Sequence, residues 1–137
     1  MKIFSESLLF TLLCIIASCE HAKEEQPACV AGTGGNVTLA VHARFGGTNI
    51  PNYVTHPDTA FIKFGTTISP GVHPGNYDIF FTGSPGEDHI HCPELKCGDY
   101  FIYRTAWDSV ANVRRYGGTG ITVSETSGEK EVFVDVH

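Results

Sequence analysis

The sequence predicts an all-β fold, a single antiparallel seven-stranded β-sandwich. Three observations carry this. Apolar residues alternate with polar ones at period two across about the last three-quarters of the chain. Short runs of this kind are cut apart by 15 Gly and 7 Pro residues. No stretch sustains the 3.6-residue period of an amphipathic helix.

The elements follow in order. In Asn36–Phe45, Val37, Leu39 and Val41 alternate with Thr38, Ala40 and His42, as in a strand with one buried face. Gly46-Gly47-Thr48-Asn49 ends it. Asp58–Phe64 places Ala60, Ile62 and Phe64 on one face and Phe61 and Lys63 on the other. Asn76–Thr82 is a third strand, closed by Gly83-Ser84-Pro85-Gly86, where glycine supplies positive φ and proline fixes φ. His89–Cys92 is short and extended. Asp99–Trp107 is rich in aromatics, with Tyr100 and Ile102 expected inward and Phe101 and Tyr103 outward. Thr119–Ser124 and Glu131–Val136 complete the set, and Asp108–Arg115 reads as a short helical turn. Seven strands in about 100 residues suit a sandwich in one domain.

The first 18 residues carry a different signal. Lys2 precedes an apolar run, Leu8–Ala17, of signal-peptide length. It is short of the roughly 20 apolar residues that cross a bilayer. Ile16-Ala17-Ser18-Cys19 resembles the lipobox of bacterial lipoproteins, which implies a signal peptide over 1–18, lipidation at Cys19 and outer-membrane attachment. Residues 19–35 are polar and Gly/Pro-bearing and read as a flexible tether, leaving 36–137 as the folded domain. Lys23-Glu24-Glu25 is similar to the export signal of Bacteroidetes surface lipoproteins.

Gly86, Ile90, Cys92, Leu95, Gly98, Tyr100 and Ile102 stand where the strand–turn–strand unit of transthyretin-like and carboxypeptidase-regulatory-like sandwiches has its pattern. Residues 36–137 as a whole resemble Bacteroidetes lipoproteins of this build. The resemblance implies a fold and says almost nothing of activity.

Composition narrows the function. With 9 Lys plus Arg against 15 Asp plus Glu, the net charge is −6. That disfavours nucleic acid, whose phosphates need a basic surface. The chain has no G-x-S-x-G elbow, no H-E-x-x-H and no phosphate-binding glycine loop. The expectation is therefore a non-catalytic binding or accessory module held at the membrane, with a protein, peptide or glycan partner.

Two side-chain sets could carry that binding. Phe61, Phe101, Tyr103 and Trp107 could form an aromatic face, with Arg104, Arg114 and Arg115 as a polar rim or simply solvated. His89 and His91 would share one strand face and could chelate Zn²⁺ or Cu²⁺ with Asp88 or a further ligand from Glu87, His42, His56 and His73. A structural subunit of an envelope assembly, pairing through an open sheet edge, is a third reading. Among the 5 Cys, a Cys92–Cys97 bridge is one possibility. In the alternative, Cys29 pairs with either and staples the tether down.

Overall fold

The computed structural model describes residues 28–137. The expected signal peptide, Cys19 and the first part of the expected tether lie outside the described residues. Among the described residues, no helix is long and apolar enough to cross a membrane.

Eight strands build two four-stranded sheets around one core. The first sheet holds β1 (Thr33–Phe45), β2 (Thr48–Asn49), β5 (His89–Leu95) and β8 (Ser127–Asp135). The second has the order β4 (Ile79–Thr82), β3 (Thr59–Phe64), β6 (Gly98–Asp108), β7 (Val113–Val123). Period-two alternation sends Val37, Leu39, Val41 and Ala43 of β1 inward with Ile90 and Cys92 of β5 and Val132 and Val134 of β8. They meet Ala60 and Ile62 of β3 and Tyr100, Ile102 and Ala106 of β6. Aliphatic side chains of this size contribute about 1.5–3 kcal/mol each when fully buried.

The architecture departs from the sequence reading at four points. β1 pairs with β8 in parallel, from Asn36↔Ser127 to Arg44↔Asp135, so the first sheet is mixed rather than antiparallel. There are eight strands among the described residues, because the chain after β1 doubles back through the two-residue β2. Asp108–Arg115 is no helical turn: Ser109–Asn112 is a hairpin loop, and β7 already begins at Val113. The Asp108 carboxylate accepts from the Val110 and Ala111 amides and fixes that turn. Finally, ordered structure starts before residue 36. Ala31 packs on the core, and β1 begins at Thr33.

A disulfide explains the early start. Cys29 is bonded to Cys97, with Cα atoms 4.8 Å apart, and Cys92 is a free, buried thiol. The 92–97 bridge is therefore excluded. Alternation turns Cys92 into the core, while Cys97 faces the incoming chain. Gly98 is required there: its φ is +143°, and a β-carbon would collide with the Ala31 backbone. The Tyr100 hydroxyl completes the seam, accepting from the Gly32 amide and donating to the Lys96 carbonyl at 2.6 Å.

One charged side chain crosses the core. Arg104 on β6 is fully buried, and its guanidinium donates to the Val41 carbonyl on the opposite sheet and to Asn52 Oδ1 at 2.9 Å. Burial lowers its pKa to about 10, against the attraction of buried Asp58. Asp58 is in turn raised by burial, although Arg104 and Arg114 both draw it down.

Three outcomes follow. Cys29→Ala should lower unfolding free energy by about 2–4 kcal/mol in urea, since the bridge closes a long loop. In peptide mapping, Cys92 should resist alkylation until the protein unfolds, because burial pushes its thiol up to about 12. Arg104→Leu should cost about 3–5 kcal/mol by leaving the Val41 carbonyl and Asn52 Oδ1 without their donor and buried Asp58 with Arg114 alone, with part regained in Arg104→Leu/Asp58→Asn. Equal stability of single and double variants would show that the two charges do not depend on each other.

Candidate metal centre

The outer face of the first sheet gathers imidazoles and carboxylates. Register does the assembly. His42 of β1 stands opposite His89 of β5, and Ala40 stands opposite His91. On the other edge of β1, Thr38, Ala40 and His42 align with Glu129, Glu131 and Phe133 of β8. The β1–β5 ladder is regular from His42↔His89 to Leu39↔Cys92, and its register shifts lie beyond, between Thr33 and Leu39. His89 and His91 therefore stay on one face. Pro93 is tolerated because β5 has only one neighbour in its sheet.

His89 Nε2 and His91 Nε2 lie 2.9 Å apart. Glu87 Oε2 approaches His91 Nε2 at 3.9 Å, and the three ligand atoms all fall within 4.8 Å of one another. A tetrahedral zinc about 2.0–2.1 Å from its nitrogens needs ligand atoms about 3.3 Å apart, a value these separations bracket. Glu87 Oε2 is buried and has no hydrogen-bond partner.

The second layer fixes the tautomers. His89 Nδ1 is 2.9 Å from Asp88 Oδ1. Hydrogen bonds from His89 and then Asn49 hold the Asp88 carboxyl down at about 2, so it is ionised and can only accept. The proton therefore sits on His89 Nδ1, and Nε2 presents a lone pair. His91 repeats the arrangement more loosely, with Nδ1 3.5 Å from Glu129 Oε2. A carboxylate behind each imidazole is the usual support of a metal-binding histidine.

His42, Asp88 and His89 form an overlapping set. Its interior is already filled. The Asn49 amide nitrogen donates to Asp88 Oδ2 at 2.9 Å and lies 3.2 Å from His42 Nδ1. This set is a brace for Asp88 rather than a second cation site. His42 is nearly buried beneath the Phe133 ring, with its Nε2 unpartnered and 3.8 Å from Glu131 Oε1.

The remaining expected residues are placed as follows. His56 stacks on Trp107 at 3.7 Å, and His73 Nδ1 accepts from the Gly75 amide, so neither belongs to the cluster. Trp107 is thereby covered; Phe101 is largely buried, but its ring lies against Gly118 on the expected face and lines a depression there with Tyr103. Phe61 and Tyr103 remain there, joined by Phe80, Tyr77 and Tyr116, which the sequence reading did not include. Arg104 is no rim residue, and its parity with Tyr100 and Ile102 was the available signal. Arg114 is tied to Asp58, and Arg115 to Asp108. Glu129 and Glu131 were also missed, since nothing in their spacing names β1 as their neighbour.

Comparison of the chain with protein-family models, with curated proteins and with solved structures gave no match. The chemistry of the centre therefore rests on its own geometry.

Asp88 gives a pH test. Its folded pKa lies below its ordinary value of 3.8, so its contribution to stability is present above about pH 4 and is lost as pH falls toward 2. The unfolding midpoints of the native protein and Asp88→Asn should differ most above pH 4 and converge near pH 2. A constant difference across that range would show that the carboxylate is not held by its ionised form.

Proposed function

We propose that the protein binds one divalent transition-metal ion, Zn²⁺ or Cu²⁺, through His89 Nε2, His91 Nε2 and a Glu87 carboxylate oxygen. Asp88 and Glu129 orient the two imidazoles. The observation that carries this reading is the convergence of two imidazole nitrogens on a buried carboxylate oxygen that has no hydrogen-bond partner. Mixed nitrogen and oxygen donors suit both ions. Three protein ligands leave a coordination position open, and His91 and Glu87 are half-exposed, so the ion would be reachable from solvent.

We read the module as non-catalytic, and the sequence supplies its setting. The lipobox-like run ending at Cys19 supports a lipid anchor at the outer membrane, and the two sheets on one core support a sandwich of the transthyretin-like kind. In this reading the anchored domain presents a metal-loaded face at the cell envelope.

Calorimetric titration with Zn²⁺ and with Cu²⁺ should give one site per chain, abolished in His89→Ala/His91→Ala. Asp88→Asn should weaken it by about 10–100-fold, as loss of an outer carboxylate does. At a free-ion concentration of about 100 times Kd, binding should add about 2.7 kcal/mol to stability. Absence of binding, or binding that survives the double variant, would sink the proposal.

A further inference from the structure

The opposite face of the molecule, the outer side of the second sheet, carries a different surface. A row of aromatic rings crosses it in register. Phe80 of β4 stands opposite Phe61 of β3, Phe61 opposite Tyr103 of β6, and Tyr103 opposite Gly118 of β7. Ring centroids along the row are 6.1 and 6.2 Å apart. Tyr116 extends it, 6.3 Å from Tyr103 and within 9° of parallel. Tyr77 flanks Phe61 and Tyr103 at 5.9 Å from each. The row ends on glycine: Gly118 carries no side chain, the Phe101 ring lies against it, and Phe101, Tyr103 and Tyr116 line a shallow depression of about 670 Å³.

The depression has a fixed wall. The segment between Gly65 and Asn76 leans over β7, so close at Thr67 that a β-carbon on Gly120 would strike its carbonyl. Its own bonds brace this segment: Asn76 donates to the Pro70 carbonyl at 2.7 Å, and the Tyr77 hydroxyl donates to the Gly71 carbonyl at 2.8 Å. A surface already in shape loses little entropy on binding.

We infer that this aromatic row is a binding platform for a neutral saccharide chain. The lining decides the ligand class. Tyr103, Tyr116 and Ser69 present hydroxyls, and no lining side chain is formally charged. Lys63, the cation on the same face of β3, is neutralised by Asp78 at 3.0 Å. A polyanion, whether acidic glycan or nucleic acid, would meet no free positive charge in the depression and a chain of net charge −6. The side-chain anchors of a peptide are held best in closed, fully desolvated pockets, and the depression is open and shallow. A pyranose ring offers an apolar C–H face to stack on an aromatic ring and a rim of hydroxyls for the phenols. Strand spacing sets the rings of Phe80, Phe61 and Tyr103 across roughly 10 Å, room for about two consecutive sugar rings. Phe80, the most exposed ring of the row at 64%, has its ring out of the core.

The test is calorimetric titration of the purified protein with cellohexaose, maltohexaose, xylohexaose and mannohexaose at millimolar concentration, with hexagalacturonate as the charged control. At least one neutral hexasaccharide should bind, and Phe61→Ala/Tyr103→Ala should weaken it by about tenfold or more. Because Phe61 and Tyr103 also support their neighbours, Phe80→Ala is measured in parallel and should weaken binding with the unfolding midpoint unchanged. His89→Ala/His91→Ala should leave saccharide binding intact, which separates this surface from the metal centre. Failure of all four neutral chains to bind, preference for hexagalacturonate, or full affinity in both aromatic variants would overturn the inference.

Discussion

The buried guanidinium of Arg104 is the constraint on which the arrangement turns. A cation with no solvent access depends on the partners its donors find; here Nε has none, and the two terminal nitrogens carry the contacts that fix the surroundings. One donor reaches the Val41 carbonyl and ties the two sheets together through the core. Another holds Asn52 Oδ1, which turns the Asn52 amide nitrogen toward the His89 carbonyl at 2.7 Å and the Ser84 carbonyl at 3.2 Å. The Asn52 backbone grips the same segment: its amide donates to the Glu87 carbonyl at 2.7 Å, and its carbonyl accepts from the Gly86 amide at 3.0 Å. Gly83 has no side chain because the Asn52 amide occupies that space. The stretch that carries Glu87, Asp88 and His89 is thus clamped from beneath by a polar cluster in the core.

That clamp explains how a loop residue can join two strand residues in one candidate ligand set. Strands fix direction by parity alone, and His89 and His91 need nothing more. Glu87 precedes β5, where parity has no hold, and its position depends on the bond its carbonyl makes to Asn52. Such a cluster gives little net stability compared with an apolar core, and its contribution is a specified geometry.

Parity was the part of this molecule that could be read in advance. Alternation showed which of Val37–His42 and Tyr100–Tyr103 face the core, and it set His89 beside His91. Partnership was not legible. Nothing in Glu129 and Glu131 indicates that β8 runs parallel to β1, yet that pairing brings both carboxylates to the histidines. Cysteine spacing could not choose between Cys29 and Cys92 as the partner of Cys97, because connectivity depends on where the chain folds back. The start of β7 was hidden for a physical reason. Arg114-Arg115-Tyr116-Gly117-Gly118 has no apolar alternation, since its glycines answer to neighbours. A β-carbon at Gly117 would strike the Asp135 carbonyl, and one at Gly118 the Phe101 ring.

The candidate centre and the core lie on opposite sides of the same sheet, which would separate the proposed metal binding from folding. The inward residues of β1, β5 and β8 form an apolar layer closed by the second sheet, with the Cys29–Cys97 bridge at its end. None of that layer is a metal ligand. In small domains whose core is the metal site, the ion supplies the folding free energy and its removal unfolds the chain. Here the two candidate histidine ligands project outward from a strand already held by ladder hydrogen bonds and apolar burial. Glu87 Oε2 has no hydrogen-bond partner in this arrangement. A bound cation would give this oxygen the partner that it lacks.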